Sequence, residues 1–441
     1  MERRPSLAAS AAATYATNLA VAALSLVNVL IVARALGPEG RGEVAFLTTV
    51  GVLTSNLAAL GVQEANANIG SSHPALRRAL AGNSVAFAAI LGVGAAAAVL
   101  GLVALVPAAG GGADHALLVL VLASLPVLLL KIYVTFLLQA DYRFTVTNLA
   151  WLVPAALNAA ANAVLAALGV LTVTAAVAIW ISGQGLSLAL LLLYLARHSA
   201  GFGRPEPALA RRMLGFGAQT HIGRALTLGN YRLDQWLLGA LAGPRELGLY
   251  SVAVAWAEML FFLPTALVSV QRPDLVRAGA RDAGRLAATT LRVSVLMTLP
   301  LAVLLVAGAP LLCVTVFGED FRGSIDDLRV LAFGAFGMAA LKLLGNALTA
   351  QRKPLLATAG VAIALAVGVA LDVVLIPSFG GLGAAIAATI AYSVGGFAIA
   401  IIFARTLGEP LRRLVPRGGD VPWLWRHARR ALGRPGMEGA P

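Results

Sequence analysis

Five cations stand inside apolar stretches of this 441-residue chain: Lys131, Arg224, Arg232, Arg292 and Lys342, with His221 three residues before Arg224. A charge at the centre of a bilayer costs about 2.5 to 3.5 kcal/mol on the mildest scale, so such residues mark a protein-lined or water-filled interior rather than a lipid face. Several Arg and Lys donors in a low-dielectric space suit a polyanionic group, for which the guanidinium offers a planar fork. On a helix, His221, Arg224, Arg232 and Gln235 fall within about 80° of one another, while Asn230 and Asp234 point to the other side. Three acids, Asp234, Glu258 and Asp372, lie clearly inside apolar stretches. Glu258 is at nearly the depth of Arg224 on an adjacent antiparallel helix, which predicts that the two meet. Glu258 and Asp234 are therefore the candidate coupling or gating residues, and the role of Asp372 is open.

These residues need a membrane to explain them. With 59% hydrophobic and 12% charged residues, the chain cannot build a water-soluble surface and reads as a polytopic membrane protein. One cysteine, Cys313, excludes an internal disulfide framework, and five scattered His offer no metal-ligand spacing, so no cofactor and no metal site is expected. The start of the chain could be read as a signal peptide with Ala33-Arg34-Ala35 as its cleavage site, but the apolar run is span-length.

Apolar runs of spanning length predict twelve helices, near 14–36, 43–67, 79–107, 115–139, 144–168, 172–196, 212–241, 247–271, 286–317, 327–351, 355–376 and 382–406. The ninth is too long for one straight span, and Pro300 and Pro310 predict a kink or break. Assigned alternately to the two sides, the connections place 23 of the 33 Lys and Arg on the side of the N-terminus and five on the other, with five inside spans. Both termini are thus expected in the cytoplasm, with the acidic loop Glu319 to Asp327 outside. The net charge of +13 follows from this distribution and does not point to nucleic acid. By depth, Arg224 lies about halfway, Arg232 in the outer third, Lys131 and Arg292 in the cytoplasmic third, and Lys342 between the middle and the cytoplasmic end. The expected fold is an all-α integral membrane protein with twelve spans in two six-helix lobes, 1–197 and 212–407. A cytoplasmic linker, 198–211, joins them, and a basic amphipathic tail, 408–441, follows.

The halves echo each other. Gly37-Pro38-Glu39-Gly40-Arg41-Gly42 returns as Gly243-Pro244-Arg245-Glu246-Leu247-Gly248 at an offset of 206, and Leu138-Gln139-Ala140 lines up with Leu348-Thr349-Ala350 at 210, as Asn162 does with Asp372. Six spans per half make these parallel repeats, with a central cavity between them as the default substrate site. The Gly-Pro turns read as geometry, and Gly92, Gly94 and Ala95 to Ala98 as close helix packing. In the tail, Trp423 to Leu432 alternates aromatic or aliphatic with basic residues and should lie in the cytoplasmic interface.

Three motifs carry a family resemblance: Arg34-Ala35-Leu36-Gly37-Pro38 with Gly42; Asp234-Gln235-Trp236-Leu237-Leu238-Gly239 followed by Glu246-Leu247-Gly248-Leu249-Tyr250-Ser251; and Gly380-Gly381-Leu382-Gly383-Ala384-Ala385-Ile386-Ala387-Ala388-Thr389. In this order the chain resembles the oligosaccharide (O-antigen type) polysaccharide flippases of the multidrug/oligosaccharidyl-lipid/polysaccharide exporter superfamily. The resemblance implies a V-shaped two-lobe transporter, not an enzyme, in the cytoplasmic (inner) membrane. Its implied partners are a polyprenyl-diphosphate-linked glycan, membrane lipids and other polysaccharide assembly proteins. The substrate-binding candidates are then Arg224, Arg232, His221, Lys131, Arg292 and Lys342. Asp372 stands where such proteins often carry Asn.

Two other readings compete with it. A cation-coupled drug or small-molecule antiporter of the same superfamily should line its cavity with acids and aromatics, whereas these spans are cation-rich. A membrane enzyme would rest on Glu319, Asp320, Asp326 and Asp327, in an outer loop that is short for the purpose. No Walker sequence is present to power transport.

Overall fold

The computed structural model describes residues 7–198, 201–418 and 420. Within them the chain is helical, and no strand is found. In hydrocarbon each backbone N–H and C=O needs an internal partner, which an isolated helix provides and an isolated strand does not. The principal helices are α1 (Leu7–Ala58), α2 (Val62–Ser72), α3 (Arg77–Leu105), α4 (His115–Ala123), α5 (Leu125–Ala140) and α6 (Phe144–Ala167). They continue with α7 (Val173–His198), α8 (Pro207–Ala257), α9 (Phe262–Arg277), α10 (Ala280–Pro310), α11 (Ser324–Ala350) and α12 (Pro354–Leu407). Among the described residues, nine helical stretches are long and apolar enough to cross a membrane. The chain is a multi-pass membrane protein.

Three of those nine stretches are far longer than a span: Ala12–Ala58, Pro207–Arg277 and Pro354–Leu407. Each is interrupted by a glycine with non-helical backbone: Gly37 (φ 68°), Gly243 (φ 85°) and Gly380 (φ 54°). These are the glycines of the sequence motifs, and positive φ is why glycine is needed there. The break expected in the ninth span falls at Pro310, where α10 passes into a π-helical turn, Leu311–Thr315, while Pro300 stays inside the helix. Three breaks were not foreseen. The helix expected near 115–139 is divided at Ser124 into α4 and α5, with Pro126 in the first turn of α5. The second span is divided between α1 and α2 at Leu60 (φ 46°) and Gly61 (φ 73°), and α8 gives way to a 3-10 turn, Glu258–Phe261, before α9.

The described residues form two compact units. One contains the chain up to Ala255 with Leu311–Ser324 and Asp372–Ala384; the other contains Trp256–Pro310, Ile325–Leu371 and the chain from Ala385 onward. In the first unit α6 packs between α1 and α7, and α5 lies against α2 and α3. Leu80, Tyr133, Val134, Leu137, Leu191 and Met213 belong to its buried core. In the second unit, Leu291, Leu343, Leu344, Leu348, Ile399 and Phe403 belong to the corresponding core.

The Gly-Pro turns pack on each other reciprocally inside the first unit. A Cβ on Gly42 would lie 1.7 Å from the Pro244 carbonyl oxygen, and one on Gly248 would lie 1.8 Å from that of Pro38. Arg34 donates to the carbonyls of Thr315 (2.8 Å) and Val316 (2.7 Å), which satisfies the end of the π-helical turn. Gly92 meets Pro126 at close range, as its small size suggested, whereas Gly94 faces open space. The linker is tied down as well: Gly203 N–H donates to the Arg78 carbonyl at 2.8 Å, and Asn83 brackets the Glu206 backbone, with α8 already started at Pro207. The tail from Trp423 to Leu432 lies outside the described residues.

Candidate functional site

A cavity of about 370 Å³ lies within the first unit. Helical periodicity builds its walls. α5 contributes Leu128, Lys131, Ile132, Thr135 and Phe136, spaced three or four apart, and α6 contributes Trp151, Pro154, Ala155, Asn158 and Asn162 in the same way. α1 adds Asn28 and Arg41, α7 adds Trp180 and Gln184, and α8 adds Arg224. No Asp or Glu lines it among the described residues.

Two of the sequence candidates meet here. Lys131 is 4% exposed; its Nζ donates to Gln184 Oε1 at 2.6 Å and stands 4.8 Å over the Trp151 ring. Arg224 donates from Nη1 to Glu64 Oε1 at 3.2 Å and lies 5.5 Å over the Phe136 ring. Depth-matching pointed to Glu258 as its partner; the ion pair of Arg224 in the structure is with Glu64, in the first turn of α2. Arg41 is the third cation of the cavity, and its buried Nε has no hydrogen-bond partner. Arg232 is within electrostatic reach of Arg41 and donates to the Tyr231 carbonyl at 3.2 Å.

The other candidates lie apart from this cavity. His221 Nε2 donates to the Leu57 carbonyl at 3.0 Å, covering a backbone group that the break before α2 leaves without a helical partner. Lys342, in the second unit, donates to Thr265 Oγ1 at 2.9 Å, with Phe261 5.9 Å away and Glu258 within electrostatic reach. Arg292 is committed to the chain after α12: Nε meets Asp420 Oδ2 at 2.9 Å and Nη1 the Arg413 carbonyl at 2.7 Å. Asp234 Oδ2 accepts from the Tyr250 hydroxyl at 2.6 Å.

Asp372 is 4% exposed, its Oδ1 is buried without a hydrogen-bond partner, and Asp234 is within electrostatic reach. The repeat offsets give this pair a counterpart. Asn28 and Asn162 stand 206 and 210 positions before Asp234 and Asp372, and Asn162 Nδ2 donates to Asn28 Oδ1 at 2.7 Å. One half thus carries a neutral amide pair where the other carries two carboxyls. The outer acids are engaged locally: Glu319 pairs with Arg322 at 2.7 Å and Asp326 with Arg329 at 3.3 Å.

Sequence reasoning missed Arg41, Glu64, the Asn28–Asn162 pair, the two tryptophans and Gln184. Asn28 and Asp234 could have been matched by the offset of the Gly-Pro turns. The indoles gave no signal beyond their spacing.

Residues 31–326 match the family model described as "Polysaccharide biosynthesis protein". No curated protein matches the chain significantly. Among solved structures, it is similar to an inward-facing multidrug resistance MATE family transporter of the MOP superfamily, with 14% identity and a TM-score of 0.73 over 88% of this chain and 95% of that one. It is also similar to the lipid II flippase MurJ in an inward closed conformation, with 13% identity and a TM-score of 0.72 over 97% and 93% of the two chains. A third is a MOP superfamily transporter from Pyrococcus furiosus, reported to have a binding pocket of reversed polarity, with 14% identity and a TM-score of 0.61 over 91% and 94%. At these identities the likeness is one of fold.

Proposed function

The chain belongs to the Polysaccharide biosynthesis protein family, and from that premise we propose that it is a transporter that flips a polyprenyl-diphosphate-linked oligosaccharide from the cytoplasmic to the outer leaflet by alternating access. The observation that carries the reading is the cavity, which gathers Arg41, Lys131 and Arg224 without a carboxylate in its lining among the described residues. Cations facing a space without acids in its lining favour an anionic ligand and repel an organic cation. That weighs against the drug-antiporter reading. Arg41 and Arg224 supply forks for phosphate oxygens.

Twelve spans fit this reading. A continuous 54-residue helix would be about 80 Å long, well beyond the roughly 30 Å of a hydrocarbon core. Reversal at Gly37, Gly243 and Gly380 divides each long stretch into two spans. Duplication is supported by the backbone: Tyr142 and Arg352, 210 apart, both have φ 59°. The helix ends there share two hydrogen bonds, Arg143 N–H to the Leu138 carbonyl with Lys353 N–H to the Leu348 carbonyl, and Tyr142 N–H to Gln139 with Arg352 N–H to Thr349. The proposed organisation is two six-helix halves, 1–197 and 212–407, with linker, tail and both termini on the cytoplasmic side of the cytoplasmic membrane. Asp234 with Asp372, and Glu258 beside Lys342, are the acids available for coupling to a cation gradient.

The test is reconstitution in liposomes with a fluorescent polyprenyl-diphosphate glycan whose outer-leaflet fraction is read by a membrane-impermeant quencher. Wild type should move the lipid, and Arg224→Ala should lose most of that activity while still inserting. Export of ethidium with no movement of the glycan lipid would replace this reading by the antiporter one.

A further inference from the structure

We infer that the cavity wall made by Lys131, Trp151, Asn158, Trp180 and Gln184 is a sugar subsite, and that the sugar it takes carries a carboxylate. The inference rests on the head-group reading above and adds the chemistry of the glycan to it. Lys131 is 4% exposed and lines the cavity, and its ammonium has an amide oxygen at 2.6 Å and an indole face at 4.8 Å for partners. A buried ammonium is normally matched by a counter-ion, because a neutral dipole compensates only part of its lost hydration. No Asp or Glu among the described residues lines the cavity. The counter-ion that completes the site must therefore arrive with the ligand.

The surroundings say what kind of anion it is. Trp151 and Trp180 offer flat apolar faces with negative charge density, which suit the C–H face of a pyranose ring; a phosphate presents no such face. Asn158 donates one amide hydrogen to the Pro154 carbonyl at 2.7 Å, and its oxygen and second hydrogen remain for hydroxyls. Gln184 keeps its NH2 group for the same use. The diphosphate has better partners in the same cavity, since Arg41 and Arg224 present guanidinium forks whereas Lys131 is a point charge. The cavity thus divides its anions, phosphates to the guanidiniums and a sugar carboxylate to the ammonium. Its volume of about 370 Å³ is near the lower end for ligand pockets and suits the first sugar or two, not a long glycan.

Binding to the purified protein in nanodiscs, followed by tryptophan fluorescence, tests this with three probes: a short polyprenyl diphosphate, the same lipid with one hexose, and the same lipid with one hexuronate. Wild type should bind the hexose probe more tightly than the bare diphosphate, and the hexuronate probe about tenfold more tightly still, as a charge-assisted hydrogen bond allows. Lys131→Gln should erase the preference for hexuronate over hexose. Trp151→Ala should remove the sugar increment for both glycosylated probes and leave the bare diphosphate unchanged; Trp151→Phe, which keeps a ring face, should restore part of it. Equal binding of hexose and hexuronate by wild type would overturn the carboxylate. Equal binding of all three would overturn the subsite and leave the head-group reading standing, whereas failure of all three to bind would overturn the head-group reading itself.

Discussion

Lys131 separates stability from function more cleanly than any other residue of the cavity. Its ammonium is buried beside a neutral amide, so the ligand-free protein carries the cost of desolvating it. Replacing a buried ion pair by apolar residues of similar volume is often neutral or stabilising, by about 1 to 4 kcal/mol, and an ammonium without a counter-ion has less attraction to lose. Lys131→Met should therefore raise the thermal midpoint of the ligand-free protein in detergent while weakening glycan binding; a lower midpoint would mean that Gln184 and Trp151 already compensate the charge. Arg224 behaves differently because Glu64 is its partner at 3.2 Å. Both side chains are partly exposed, so a double-mutant cycle of Arg224→Gln and Glu64→Gln should give a coupling of about 1 kcal/mol rather than the larger value of a fully buried pair. Strict additivity would remove the pair from the account. Legibility at this scale followed charge. Lys131 and Arg224 were visible because a cation interrupts an apolar run, whereas Arg41 adjoins a Gly-Pro turn and reads as part of a connection. Asn28, Trp151 and Gln184 carry no charge and blend into the hydropathy of their helices. Arg292 was equally visible, but its partners come from a segment 121 and 128 residues away, a pairing that no local pattern encodes.

At the scale of elements, the Gly-Pro turns do more than reverse the chain. Gly42 against the Pro244 carbonyl, and Gly248 against that of Pro38, let two backbones approach at distances a Cβ would forbid. Gly42→Ala and Gly248→Ala should each lower the thermal midpoint, at a cost of about 1 to 3 kcal/mol from overpacking against backbone that cannot yield. Gly94→Ala is the control: its Cβ would meet nothing within 4 Å, and the better helix former should be neutral or stabilising by up to about 1 kcal/mol. Equal destabilisation at Gly42 and Gly94 would show that close approach is not what Gly42 provides. The breaks at Gly37, Gly243 and Gly380 were readable because glycine and proline punctuate runs of known length. The one at Leu60–Gly61 was not, since the surrounding Ala58-Ala59-Leu60-Gly61-Val62 remains apolar. Its cause is tertiary: a Cβ on Gly61 would lie 2.2 Å from the Gly217 carbonyl oxygen, more than 150 positions away.

For the whole molecule, the direction in which the chain threads the bilayer decides which leaflet each charged residue faces. It depends on dividing three long helical stretches at their glycines, and on the bias of Lys and Arg to one set of connections. Miscounting a single span would invert every connection after it, so two positions far apart in sequence suffice as a test. Asp320 is exposed in the acidic loop before α11, and Arg204 is exposed in the linker before α8; an odd number of spans, three, separates them in the twelve-span assignment. The native Cys313 is buried, so a cysteine added at either position reports against a quiet background. A membrane-impermeant maleimide applied to intact cells should label Asp320→Cys and leave Arg204→Cys unlabelled until the membrane is permeabilised. Labelling of both in intact cells would require an even number of spans between them, which would undo the division at Gly243 or the continuity of α10. Labelling of Arg204→Cys alone would invert the orientation, and Arg41, Lys131 and Arg224 would then face the leaflets in reverse order, leaving a flippase of cytoplasmic glycan lipids without its receiving side.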